Sequence, residues 1–384
     1  MIRFLVVVAV FWFALCASDV MAEQVVDIYR AEVLVRSQSA AVRNIAARDA
    51  MREVLIRVSG DTTAPEQPGM KAAINQAQNY LLEFSYASTD KRLEVDGKSI
   101  PATVLIAKFS PQGIERLLRE ARLPLWPASR PKLLIWSVLQ DASGAFHRVP
   151  DDTIMAALSQ RAAVRGLPLA LPLHDFEDTI ALSSDNLWNF EEAAIKEASE
   201  RYRPDAILVG RYSQSADGQW QASWQLIHAS GNNTFDDQAD AAPTLFTRAL
   251  DSVADSFARL YAIVPSESSP DVIVMQVENV ADFGAHKNLQ RYLEGLAMVK
   301  RLELLKIEGQ HQLLRLYIEG DQAQLLTTLV LGKKLYPLDT EAVGMTPALP
   351  AFDPVDLLDS GLPPPLPAFA PGSLEKPLVY RWQP

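Results

Sequence analysis

The chain has 384 residues, of which 48% are hydrophobic and 22% charged, and this composition excludes wholesale disorder. A chain of this length predicts two or three domains. The formal net charge of -11 excludes a nucleic-acid partner, because phosphate binding depends on clustered lysine and arginine.

Residues 1–22 have the pattern of a secretory signal peptide. Arg3 gives a short positive start, residues 4–17 form an apolar run without charge, and Ala22 precedes Glu23 at the expected cleavage site. The apolar run is too short for a comfortable membrane span. We therefore expect a mature chain that begins near Glu23 and works in the periplasm.

The single cysteine, Cys16, lies inside this signal. Cleavage after Ala22 would leave a mature chain with no disulfide, no thiol nucleophile and no thiolate metal site. After the signal, no stretch of the sequence is long and apolar enough to cross a bilayer. We therefore predict no transmembrane segment in the mature chain.

Two proline-marked joints, at residues 123–131 and 264–270, divide the rest of the chain. They predict three small layered domains of the α/β and α+β classes. These are an α+β domain at 23–126, an α/β domain at 130–264 and a ferredoxin-like α+β domain at 270–335, followed by a proline-rich arm at 343–377 and a returning strand at 378–384.

The first domain is predicted to run strand, helix, helix, hairpin, helix. Apolar spacing and turn residues place these elements at 25–35, 39–58, 70–84, 91–95 with 103–107, and from Ser110-Pro111 onward. Ser110 and Pro111 are typical of a helix start, with serine as the cap and proline at the first helical position.

The middle domain alternates strands with helices, which predicts a partly parallel sheet with an edge hairpin. The expected strands lie at 132–139, 167–173, 206–210 and 220–226, and the helices at 151–166, 184–202 and 244–261. Asp151-Asp152 is predicted to cap a helix rather than to form a catalytic pair. Residues 231–233 are predicted to form a turn.

The third domain has the ferredoxin-like order of strand, helix, hairpin, helix, strand. Its elements are expected at 272–277, 284–296, 299–307 with 312–319, and 321–331. We expect the sheet to be closed by a tail strand at 378–382, beyond the proline-rich arm.

Signatures of catalysis and cofactor binding are absent from the sequence. The five histidines do not share a metal-ligand spacing, and neither an H-E-x-x-H nor a G-x-S-x-G motif occurs. We therefore predict no metal and no cofactor.

One acidic group, formed by His174, Asp175, Glu177 and Asp178, follows a predicted strand. Ligands bind α/β sheets at the carboxyl ends of parallel strands, so these residues are candidates for a binding or hydrolytic site. The alternative is a solvated loop between that strand and the next helix.

The mature chain resembles a family of exported Gram-negative proteins known as domain of unknown function 2066. The resemblance rests on residues 46–51 leading to 55–60, on Arg130-Pro131-Lys132, and on 204–211 with the tryptophan-bearing strand that follows. It covers nearly all of 23–335. It includes no catalytic motif and therefore implies no site residues.

A second likeness is architectural. The first domain looks like the amino-terminal domain of flagellar assembly protein T. The middle domain looks like the small domain shared by the curli secretion channel and by outer-membrane activators of cell-wall synthases. These likenesses imply a protein that binds other proteins and is not an enzyme.

We therefore predict a periplasmic, non-enzymatic protein that docks to an envelope protein partner. The alternative is a small-molecule binder or hydrolase that uses His174–Asp178. Peripheral association with the outer membrane is a third hypothesis, although the sequence lacks a convincing amphipathic helix with a basic face.

Overall fold

The computed structural model describes residues 26–95, 97–148, 150–265, 271–338 and 371–383. The predicted signal peptide, its cleavage site at Ala22 and Glu23, and most of the predicted proline-rich arm lie outside these residues. The fold is a mixed α/β and α+β arrangement with three separate sheets, so the predicted fold class is confirmed.

The first sheet is antiparallel, in the order β1-β3-β2. Its elements are β1 (Arg30–Val35), α1 (Ala40–Ser59), α2 (Met70–Asn75), β2 (Leu81–Val95), β3 (Lys98–Phe109) and α3 (Pro111–Glu120). The Ser39 hydroxyl caps α1, which ends at Gly60 with a left-handed φ of 74°. The apolar face of α1, including Met51, Val54 and Leu55, is fully buried and fixes this helix on the sheet.

The predicted helix at 70–84 is wrong in its second half. Helix α2 ends at Asn75, and Leu81 already begins β2, which pairs with β3 from Leu81 to Val95 with two register shifts. The apolar residues of this segment fit both the spacing of a helix and the alternation of a strand. Pairing with the long strand β3 makes the segment a strand.

The middle sheet has the order β5-β4-β7-β8-β9, and β6 pairs with β4. Its strands are β4 (Leu133–Gln140), β5 (Phe146–His147), β6 (Leu169–Ala170), β7 (Ala206–Gln214), β8 (Trp220–His228) and β9 (Gly231–Ala239). Because β4 is parallel to β6 and β7 and the other pairs are antiparallel, the predicted partly parallel sheet with an edge hairpin is confirmed.

Helices cover both faces of this sheet. They are α4 (Asp152–Arg165), α5 (Phe176–Ala181), α6 (Ser184–Trp188), α7 (Glu192–Ser199) and α8 (Ala242–Tyr261). Helices α4 and α8 share one apolar core with the sheet, and α6 and α7 share another on the opposite face. The predicted helix at 184–202 is interrupted, because Phe190 takes a left-handed φ of 56°.

The predicted turn at 231–233 is also wrong. These residues begin β9, and the tight turn lies one step earlier, because His228 pairs with Gly231. The strand escaped prediction because an exposed edge of polar residues carries no apolar alternation.

The third sheet has the order β11-β12-β10-β14-β13. Its elements are β10 (Asp271–Glu278), α9 (Phe283–Glu294), β11 (Val299–Glu308), β12 (His311–Ile318), α10 (Gln322–Leu331), β13 (Leu335–Pro337) and β14 (Leu378–Trp382). The expected tail strand is confirmed as β14, which lies parallel to β10. The short strand β13, which the sequence did not predict, forms the edge beyond it.

Leu125, in the first predicted joint, lies beside Ile263, which directly precedes the second joint. Leu125 and Ile263 exchange two backbone hydrogen bonds of 2.8 Å. Nearby, Arg119 in α3 pairs with Glu319, which follows β12. These contacts connect all three sheets into one body.

Candidate functional site

The candidate residues lie where the chain leaves β6 and enters α5. His174 takes a left-handed φ of 53°, which is uncommon for a residue with a side chain. This turn brings Asp175 to the start of α5, where its Oδ1 accepts a hydrogen bond of 3.0 Å from the Asp178 backbone N–H. Asp175 is therefore a helix cap.

One arginine contacts all three candidate carboxylates. Arg201, directly after α7, donates to both oxygens of Asp175 at 2.9 and 3.0 Å and to Asp178 at 3.0 Å. Its Nη2 lies 3.4 Å from Glu177. Two-pronged arginine–carboxylate pairs are among the stronger charged contacts in proteins, so Arg201 ties the helix to the chain that follows α7.

Asp178 is fully buried, and its carboxylate is well supplied with donors. The Tyr202 hydroxyl lies 2.6 and 2.8 Å from its two oxygens, and the His174 backbone N–H donates at 2.7 Å. The same hydroxyl accepts a hydrogen bond of 3.0 Å from the Leu173 N–H. A buried carboxylate with this many partners stabilises a local structure.

The electrostatics agree with a supporting role. The hydrogen bonds from Arg201 lower the pKa of Asp175 to about 2, with a further contribution from the Asp178 backbone N–H. Burial, followed by the hydrogen bond to Asp178, raises the pKa of Tyr202. Asp175 is therefore a weak base, and Tyr202 keeps its proton.

His174 lies beside the cluster rather than within it. Its ring makes an edge contact with Trp136, with 6.1 Å between ring centres, and burial followed by the charge of Arg148 lowers its pKa. Its Nδ1 is buried with no hydrogen-bond partner among the described residues. The cavity it lines measures about 40 Å³, which suits ordered water but not a substrate.

The structure thus brings His174, Asp175, Glu177 and Asp178 together, as the sequence indicated. The three carboxylates and the His174 backbone N–H form a clamp centred on Arg201 and Tyr202, two residues that sequence reasoning did not include. Separately, the expected cap role of Asp151 is confirmed, since its Oδ1 accepts 2.9 Å from the Ile154 N–H.

The clamp supports an exposed apolar surface that the sequence analysis missed. Leu173, Phe176 and Ile180 are 69%, 81% and 70% exposed. Phe176 and Ile180 are four residues apart and so share one side of α5. We call these three residues the α5 face. Apolar side chains grouped at this exposure are typical of interaction sites.

Within the described ranges, no cluster of three or more histidine, cysteine, aspartate or glutamate residues has the arrangement of a metal site. The helices there also lack the combination of length and apolar character that a bilayer crossing requires.

Comparison with known families gives one match. Residues 22–127 match a family model described as Domain of unknown function (DUF8605). This description differs from the resemblance to domain of unknown function 2066, and that wider resemblance stays a prediction. No curated protein matches the chain. The amino-terminal part of this chain is therefore similar to an uncharacterised domain family, whose description assigns no activity.

Proposed function

We propose that the mature chain is a non-enzymatic protein of the periplasm that docks to an envelope protein partner through the α5 face. The observation that carries the proposal is the pairing of an exposed apolar surface with a rigid support. Leu173 is fixed by its own backbone to Tyr202, and α5 is fixed through Asp175 and Asp178 to Arg201. A rigid surface loses less conformational entropy when it binds.

The charges around this face define the partner. Glu177 directly follows Phe176 in the chain and its side chain is 68% exposed, and the side chain of Asp175 is 41% exposed. The partner is therefore a protein with an apolar groove and a basic rim. An anionic lipid surface fits less well, because α5 is short and its exposed charges are negative.

A small-molecule binder or hydrolase at His174–Asp178 is the alternative. A general base must reach the proton that it abstracts. Asp178 has no exposed surface, and Arg201 occupies both oxygens of Asp175. These contacts favour the docking function.

Site-directed photo-crosslinking in cells tests the docking surface. A photoreactive aromatic residue at Phe176 is expected to give one adduct of defined mass. The same residue at Val330, which is 56% exposed on α10, is the matched control and should not give it. The absence of an adduct at Phe176, or the same adduct at both positions, would contradict the proposal.

Cell fractionation tests the location. We expect the protein in the periplasmic fraction, shortened by the predicted signal of residues 1–22. An uncut chain in the cytosol would contradict the proposed location. The crosslinking test of the α5 face does not depend on that result.

A further inference from the structure

Strand β9 is an exposed edge of the middle sheet that contains no proline, lysine or bulge. It lies at the end of the middle sheet, and all nine of its residues pair with β8 without a register shift. Its sequence, GNNTFDDQA, contains neither proline nor lysine. Edge strands usually carry such residues or bulges because these block pairing with another chain.

The outer side of β9 has main-chain groups available for pairing. Alternate residues of an antiparallel edge strand point their N–H and C=O groups outward. Gln238 is one of them, because its N–H bonds to Asp237 at 2.8 Å and its carbonyl accepts 3.0 Å from Arg248. The main-chain groups of Gln238 are therefore already occupied by side chains. By the same alternation, outward main-chain groups also belong to Asn232, Thr234 and Asp236, and these remain available for pairing.

Open grooves flank this edge on both faces of the sheet. A groove of about 570 Å³ lies between β9 and α8, and one of about 480 Å³ lies on the opposite face beside Trp188. In strand addition, main-chain hydrogen bonds give affinity, while pockets for alternate side chains give specificity. An added strand would place its side chains alternately into these two grooves.

One carboxylate at this edge lacks a compensating charge. The groove beside α8 holds Asp237, Asp251 and Asp255, but each of these pairs with an arginine, namely Arg248, Arg161 and Arg165. Asp236 has no ion pair among the described residues, and it lies in the part of β9 whose main-chain groups are available, so the open edge carries an uncompensated negative charge. A second copy of this chain, with a net charge of -11, would be repelled here.

We propose that the β9 edge binds a basic extended segment of a partner protein by strand addition. This surface is separate from the α5 face, and its test does not depend on the docking surface proposed there.

Peptide binding to the full mature chain tests this inference. The probe is a capped nonapeptide of alternating threonine and lysine, and the comparison peptide carries glutamate in place of lysine. We expect the lysine peptide to bind about tenfold more tightly than the glutamate peptide. No binding of the lysine peptide, or equal binding of both, would overturn the proposal.

Two substitutions of Thr234 distinguish the contribution of the main-chain N–H to peptide binding from that of the side chain. Thr234→Pro removes an outward N–H without breaking the ladder to β8, since proline is tolerated at such positions. It should weaken lysine-peptide binding about tenfold, whereas the matched control Thr234→Val should change it by less than about twofold. Equal binding by Thr234→Pro and Thr234→Val would overturn the proposal.

A charge reversal keeps the inference testable if Thr234→Pro fails to fold. Asp236→Lys leaves the main-chain edge intact and should invert the preference, so that the glutamate peptide binds more tightly than the lysine peptide. An unchanged preference would overturn the proposal.

Discussion

Arg130 donates a hydrogen bond of 2.7 Å to the backbone carbonyl of Arg165, the last residue of α4. Its other terminal nitrogen donates 2.6 Å to the carbonyl of Arg57, in the last turn of α1. The guanidinium also lies 3.9 Å from the ring centre of Trp126. Two helix carboxyl ends, which carry partial negative charge, therefore hold one buried cation and connect the first sheet to the middle one.

This junction predicts a strong effect of Gly166→Ala. Gly166 has a φ of +66°, and a Cβ there would lie 2.5 Å from the Arg57 Cγ and 2.7 Å from the Arg130 Nη1. We expect a loss of about 2–5 kcal/mol in the free energy of unfolding, from backbone strain plus overpacking. Urea denaturation measures it.

Gly218→Ala is the matched control for this prediction. Gly218 has a φ of +85° but no atom within 4 Å of the added Cβ, so only the strain of about 1–2 kcal/mol should appear. Equal losses in the two variants would show that the crowded junction contributes nothing.

The clamp predicts a large effect of Arg201→Gln. Removing the guanidinium leaves Asp178 buried with less compensation for its charge, at a cost on the order of 3 kcal/mol in unfolding free energy. The control is Lys196→Gln, whose exposed pair with Glu192 should contribute less than about 1 kcal/mol. Similar small losses in both variants would contradict the structural importance of Arg201.

Acid sensitivity follows from Asp175. Its pKa falls from 3.8 to about 2 in the folded protein, so its stabilising contribution is complete above pH 3.8 and is lost as the pH falls toward 2. Asp175→Asn keeps a good helix cap but removes the titration. We expect the urea midpoint of the wild type to fall more steeply than that of the variant across this range, and parallel slopes would contradict the assignment.

The tail strand predicts a carboxyl-terminal requirement for stability. Trp382 is 1% exposed and packs in the third core with Leu378 and Tyr380. Trp382→Ala should lower the unfolding free energy by about 3–5 kcal/mol, because it leaves a large cavity. The neighbouring Arg381 is exposed, so Arg381→Ala should have little effect. Thermal denaturation of both variants measures these effects. If Trp382→Ala lost no more stability than Arg381→Ala, the structural role of the tail strand would be contradicted.

Local signals made several helix starts predictable. Ser39, Ser110 and Asp151 each accept a hydrogen bond from the first turn of their helices, and such caps depend only on neighbouring residues. Strand β9 was not predictable in this way, because its residues are polar and only the pairing with β8 makes them a strand.

The candidate site was also predictable only where its residues are neighbours in the chain. His174, Asp175, Glu177 and Asp178 could be grouped because they are neighbours in the chain. Their partner Arg201 is more than twenty residues away, and the sequence carries no signal for that contact. Apolar spacing also cannot distinguish a buried helix face from an exposed one, so the α5 face became visible only in the folded chain.

The most direct test compares the yield of the Phe176 photo-adduct in two variants. Ile180→Ser removes part of the α5 face and leaves the charged groups in place. His174→Asn removes the histidine that a hydrolytic site would need and keeps a residue that tolerates the left-handed backbone. The docking account predicts that Ile180→Ser loses the adduct and His174→Asn retains it. Loss in His174→Asn with retention in Ile180→Ser would contradict it.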